Sequence, residues 1–333
     1  MTNTGCALVD DQDREFFHRE LSSFVPDRVF DAHSHLWKVH RFAADTPNIP
    51  AELCSDVGYS ETLNAFQQML PGRRFAALFI PSVRDPAKFA ESNGWTGEQT
   101  AADPQCRGEF RIMPHDDPEW VRDQVRRLGL HGLKCYHLHC SATPSWEANI
   151  PDYLPEPFVK VADEEGWVIT LHMVKSRAVA DPVNIRWIRH YCTTYPNMRL
   201  ILAHSARGLQ PSHNFEGLPQ LTGLDNLYCD CSANCEPLAH ESVIRILGHE
   251  KLLYGSDFFV SHMRGRSLGV ADSFLWLYDD TPVWEVRGTT IRPVIVGLEC
   301  LRSLKWACWS ARLTDTQIED IFWNNAARLF GFR

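Results

Sequence analysis

Along the chain, short uninterrupted apolar runs alternate with longer stretches whose apolar residues recur at helical spacing. Runs of this kind are what parallel strands covered on both faces show. Taken in order they predict strands at 28–33, 75–81, 110–114, 132–136, 167–172, 200–204, 226–231 and 251–254. Helices are predicted at 13–23, 59–70, 117–128, 151–165, 182–193, 240–247, 293–311 and 314–330, with a helical or loop segment near 211–221. Several ends carry their own signals. Asp117-Pro118-Glu119 opens one helix, Gly166 closes another, and Thr314 with Gln317 makes a capping box. The stretches after residue 36, at 82–108 and at 258–289 show no clear period and read as insertions over one end of the fold.

Eight strands mostly alternating with helices over roughly 250 residues call for an α/β fold, a (β/α)8 TIM barrel. A doubly wound open sheet is the alternative. Against it, no G-x-G-x-x-G follows the first strand and no G-x-x-x-x-G-K-[ST] occurs. The expectation is one barrel domain spanning 1–333, with its core at about 28–330, insertions after strands one, two and eight, and C-terminal helices.

In such a barrel, reacting side chains sit where strands end at the C-terminal face. Strand one ends in Asp31-Ala32-His33-Ser34-His35, and residues two apart on a strand point the same way. His33 and His35 therefore project side by side. Strand four ends in Lys134 and Tyr136, with His137 and His139 next; strand five ends in His172, strand six in His204 and strand eight in Asp257. Four histidines and an aspartate on one rim are hard to explain as packing, because barrel interiors are filled by branched aliphatics and unpaired polar groups there cost several kcal/mol.

Composition narrows the classes further. The net charge of −9 argues against a general nucleic-acid binder. Eleven cysteines contain no C-x-x-C pair. With no secretory signal they read as reduced thiols of a cytoplasmic protein, and Cys229 and Cys231 as small core hydrophobes. No apolar run approaches the ~20 residues that span a bilayer.

The D-x-H-x-H at 31–35, the lone His172, Ala203-His204-Ser205-Ala206, Tyr254-Gly255-Ser256-Asp257-Phe258 and the closing 321–330 helix together resemble the amidohydrolase superfamily. The likeness covers about 28–330 and lies nearest the amidohydrolase 2 branch of hydrolases, lactonases and non-oxidative decarboxylases. It implies that His33, His35, His172 and Asp257 bind one divalent metal, with His204 beside it polarising the substrate or supporting the base. Three histidines and a carboxylate suit Zn²⁺, or Mn²⁺, with a position left for water. A metal there lowers the pKa of that water toward ~7, and Asp257 accepts its proton and returns it to the leaving group. Lys134 has three readings: a carboxylated bridge between two ions, a cation for a substrate carboxylate, or a solvated rim lysine. The second is preferred, with Arg207 and Tyr136 as further substrate-binding residues. Phe258-Phe259 departs from the Phe-Pro of the family.

The activity expected is hydrolysis of a small amide, ester or lactone, with decarboxylation of an aromatic or unsaturated acid as the alternative on the same ligands. A non-catalytic barrel is the third reading, and the intact ligand set counts against it. The partner is a small molecule, a carboxylate among the candidates, with no nucleic acid and no membrane; a homodimer is the commonest closed assembly.

Overall fold

The computed structural model describes residues 9–39, 55–286 and 288–332. Eight strands follow one another around a parallel sheet in sequence order: β1 (Arg28–Leu36), β2 (Arg74–Pro81), β3 (Arg107–Arg111), β4 (Gly132–Cys135), β5 (Val168–Leu171), β6 (Arg199–Leu202), β7 (Leu227–Asp230) and β8 (Leu252–Leu253). The ring is drawn together at β1 and the segment after β8. Ala32 N–H donates to Tyr254 O at 2.8 Å, Asp257 N–H to His33 O at 2.8 Å and His35 N–H to Phe258 O at 3.0 Å. This is the (β/α)8 barrel that the alternating pattern predicts. The strands are short and almost wholly buried, and the core they share with the surrounding helices runs as one apolar cluster.

Helix ends fall where the sequence signals them. Asp117 accepts from Trp120 N–H, Thr314 and Gln317 form their capping box, and Gly166 closes its helix in the left-handed region at φ 66°. The 151–165 helix is two pieces, Ile150–Tyr153 and Glu156–Glu165, parted at Pro155. The 314–330 helix carries a π turn over Asp320–Asn324.

One stretch differs from its expected form. Residues 82–108, which read as an irregular insertion, hold the helix Phe89–Thr100 that leads into β3. Its buried face includes Ser92, Asn93, Thr96, Gly97 and Thr100, so no apolar period marks it. The polarity is satisfied locally: Thr96 and Thr100 hydroxyls donate back to Ser92 O and Thr96 O at 3.0 and 2.7 Å. Small residues let this helix lie close to the barrel, and β3 ends three residues earlier than its apolar run suggests. The insertion after β8 is present as an antiparallel hairpin, β9 (Gly265–Val270) and β10 (Ser273–Tyr278). Most of the loop after β1 lies outside the described residues.

Alternation along the strands sorts the inward side chains into layers. Glu109 on β3 lies level with Gly132 on β4, and Lys134, two residues further on, lies level with Arg111 on β3 and Thr170 on β5. Tyr136 and His172 follow two residues beyond Lys134 and Thr170, toward the C-terminal mouth.

Candidate metal centre

β1 delivers His33 and His35 as the alternation requires, with ring centroids 5.2 Å apart. Asp257 arrives from the far side of the closure, held by its N–H bond to His33 O and a left-handed backbone at φ 57°. The approach is close at Gly255, where a Cβ would lie 3.1 Å from that of His33, tighter than an ordinary contact. Asp257 Oδ1 then stands 3.2 Å from His35 Nε2 and 3.8 Å from His33 Nε2. Burial opposes its charge, but the His35 hydrogen bond and the neighbouring imidazoles hold its carboxyl far below the usual carboxylate range.

Asp230, at the end of β7, is the functional residue that the sequence reading missed. Its Oδ2 accepts from His33 Nδ1 at 2.9 Å, with both side chains fully buried. Its Oδ1 accepts from His204 N–H at 3.1 Å, Ser232 N–H at 3.0 Å and Ser232 Oγ at 2.5 Å. Burial pushes the Asp230 carboxyl up, yet His33 and these donors hold it well below its ordinary value. A proton fixed on His33 Nδ1 leaves Nε2 with a free lone pair aimed at Asp257, the arrangement that orients metal-ligating histidines. Burial, then the Lys134 charge, pushes the His33 imidazolium down to about 4, so the ring is neutral.

The His33, His35 and Asp257 donor atoms lie within 4.8 Å of one another, as do those of a second trio, His33, His204 and Asp230. Two imidazole nitrogens and an ionised carboxylate are a donor set that a divalent ion accepts, so the residues present fit a metal. His172 belongs to neither trio. Its ring stands 5.2 Å from that of His204, and its buried Nδ1 has no hydrogen-bond partner. His204 itself donates from Nδ1 toward Ser232 O at 3.0 Å and stacks on His33 at 5.2 Å. It begins a turn in which His204, Ser205, Ala206 and Arg207 all have positive φ, between 51° and 61°. Left-handed backbone costs an L-residue about 1–2 kcal/mol. The turn is held by Asn234 Nδ2, which donates to His204 O, and Asn214 Nδ2, which donates to Ser205 O.

The three residues expected to bind substrate occupy different settings. Lys134 is fully buried, its Nζ 3.4 Å from His33 Nε2, among the charges of Glu109, Asp230 and Asp257. Tyr136 lies flat on His172, centroids 5.3 Å apart at 14°. Arg207 donates to Lys175 O at 2.7 Å and sits over the Trp146 ring. His137 packs on Trp146 with Nδ1 2.9 Å from Ser145 Oγ, while His262 bonds to Ala65 O. No helix among the described residues is long and apolar enough to cross a membrane.

The amidohydrolase family model of the amidohydrolase 2 type matches residues 30–332. The chain belongs to that family, whose members are metal-dependent enzymes. Among solved structures it is similar to a Pseudomonas putida protein provisionally assigned as a 2-pyrone-4,6-dicarboxylic acid hydrolase, at 16% identity and a TM-score of 0.58, covering 93% of this chain and 99% of that one. It is similar to 5-carboxyvanillate decarboxylase from Sphingomonas paucimobilis, at 14% and 0.57, covering 92% and 100%. A zinc-bound amidohydrolase from Burkholderia multivorans matches at 14% and 0.57, covering 92% and 99%. Identities this low speak for the shared fold alone. Among curated proteins, none matches the chain significantly.

Proposed function

We propose that this chain is a metal-dependent hydrolase of a small amide, ester or lactone. The observation that carries the reading is the convergence of His33 Nε2, His35 Nε2 and Asp257 Oδ1 on one point at the barrel mouth. His172, whose free Nδ1 and ring face the same mouth, is the candidate to complete the ligands. A divalent ion there, zinc first for its liking for nitrogen and carboxylate donors, supplies a Lewis acid and a water acidified toward pKa ~7. Asp257 accepts the proton of the attacking water and passes it to the leaving group, and its lowered pKa keeps it in the ionised form that can accept one. His204, its Nδ1–H donated to Ser232 O, keeps Nε2 as an acceptor and supports the base by taking a hydrogen bond from the attacking water. Tyr136, Lys134 and Arg207 are the substrate-side residues in this reading. The buried free thiols fit a cytoplasmic setting.

Decarboxylation is the second reading, because the same ligands serve it and a neighbour of this fold is a decarboxylase. It asks Asp257 to give a proton to carbon, and the donors around Asp257 stabilise the ionised form instead. Elemental analysis of wild type beside H172A tests the site: about one ion per chain is expected, lost or much reduced in the variant. A lactone, amide and aromatic-acid screen then tests the reaction. Release of CO2 with no water consumed overturns hydrolysis.

A further inference from the structure

Arg111 closes β3 at 3% exposure, yet it has no salt bridge and no side-chain hydrogen bond among the described residues. Burial alone pushes its guanidinium down to about 10, which leaves it charged. A buried cation without a counter-charge is expensive and rare away from function. Its place is fixed from behind: Asn93 donates to Arg111 O at 3.0 Å and accepts from Arg111 N–H at 2.8 Å.

The guanidinium packs against two rings, its Cζ 4.2 Å from the Tyr136 centroid and 5.5 Å from that of Phe89. Its Nε–H is buried and has no acceptor. His139, in contact with the same Phe89 ring at 5.3 Å, has a buried Nε2 that is also without a partner. Burial and the Arg111 charge push the His139 imidazolium down. Tyr136 in turn lies on His172, so Arg111 is one aromatic ring away from the metal centre.

Two further cations among the described residues, Lys134 and Arg207, are already engaged. Lys134 is enclosed among Glu109, Asp230 and Asp257, and Arg207 has a backbone carbonyl and the Trp146 face. An arginine held between aromatic rings with a donor left unpaired presents a fork of N–H groups matched to a planar carboxylate.

We propose that Arg111 is the specificity-determining residue of this site, receiving edge-on a carboxylate that the substrate carries apart from its reacting group. The substrate class is thereby a small carboxylic acid rather than a neutral amide or ester. That this ligand is a substrate rests on the proposed function; the receptor itself does not.

Calorimetric titration of the metal-loaded protein with benzoate, and with benzamide as its neutral counterpart, tests the receptor. Wild type is expected to bind benzoate at least tenfold more tightly than benzamide. R111M is expected to lose at least tenfold in benzoate affinity with metal content and benzamide affinity unchanged. R111K keeps the charge but not the fork and is expected to lose at least threefold, which carries the test if R111M does not fold. Benzoate affinity within twofold of wild type in these variants overturns the proposal, since the carboxylate is then held by the metal or elsewhere. Wild type that ignores benzoate, or fails to separate it from benzamide, overturns it as well. A protein without hydrolytic turnover that still shows the Arg111-dependent preference refutes the hydrolase reading alone.

Discussion

Two walls of one mouth contrast sharply. On the side of β1, β7 and β8 the carboxylates are engaged: Asp230 accepts four donors, and Asp257 faces two imidazoles. On the side of β3 and β4, Arg111 Nε and His139 Nε2 are buried without partners, between aromatic rings. Saturated polar networks hold geometry, while unsatisfied ones mark where a missing partner belongs. On the proposed reading, the saturated wall carries the chemistry and the unsatisfied wall selects.

The contrast is most easily broken at Asp257. D257N keeps the shape and both imidazoles but removes the base, so turnover is expected to fall ~10²–10⁴-fold with most metal still bound. Steady-state kinetics beside metal analysis checks this, and near-normal turnover would remove Asp257 as the base. D230N attacks the support behind His33. It is expected to weaken metal binding ~10–100-fold, read by chelator competition, with a smaller loss of turnover at saturating metal.

The scaffold behind the saturated wall gives a gentler test. His240 bridges Ser205 Oγ at 2.7 Å and Asn234 O at 3.0 Å, and burial pushes its imidazolium down to about 4. The unfolded chain, with an ordinary histidine near 6.5, binds more protons between those values, so stability falls as pH drops through that window. His240 alone contributes a loss of about 3 kcal/mol at most by pH 4. Glu109, raised to about 8 by burial, works the opposite way. Urea unfolding at pH 7, 5.5 and 4.5 is expected to show a shallower slope in H240Q than in wild type.

What was legible in the sequence follows the same division. The β1 histidines could be read because their juxtaposition is local, a spacing of two along one strand. Asp257 could be read from its place after the last strand. Asp230 is easily passed over, since its partner His33 is 197 residues away and it stands between two cysteines in an apolar run. The strand-end rule applied to strand seven would have found it. Arg111 was hidden differently. The apolar run 110–114 places the end of strand three at Pro114, whereas the ladder with β4 stops at Arg111. The helix before it went unread because its buried face is built from Ser, Asn, Thr and Gly.

The left-handed turn at 204–207 joins the two walls mechanically. His204 and Arg207 leave the same strained backbone, one toward His33 and the other toward Trp146. Neither side chain can be re-aimed by relaxing that backbone without swinging the other. Variation at this mouth is thus geared: drift that alters what the arginine meets also turns the histidine, and a lineage exploring new ligands here has to do so by exchanging side chains on a fixed turn.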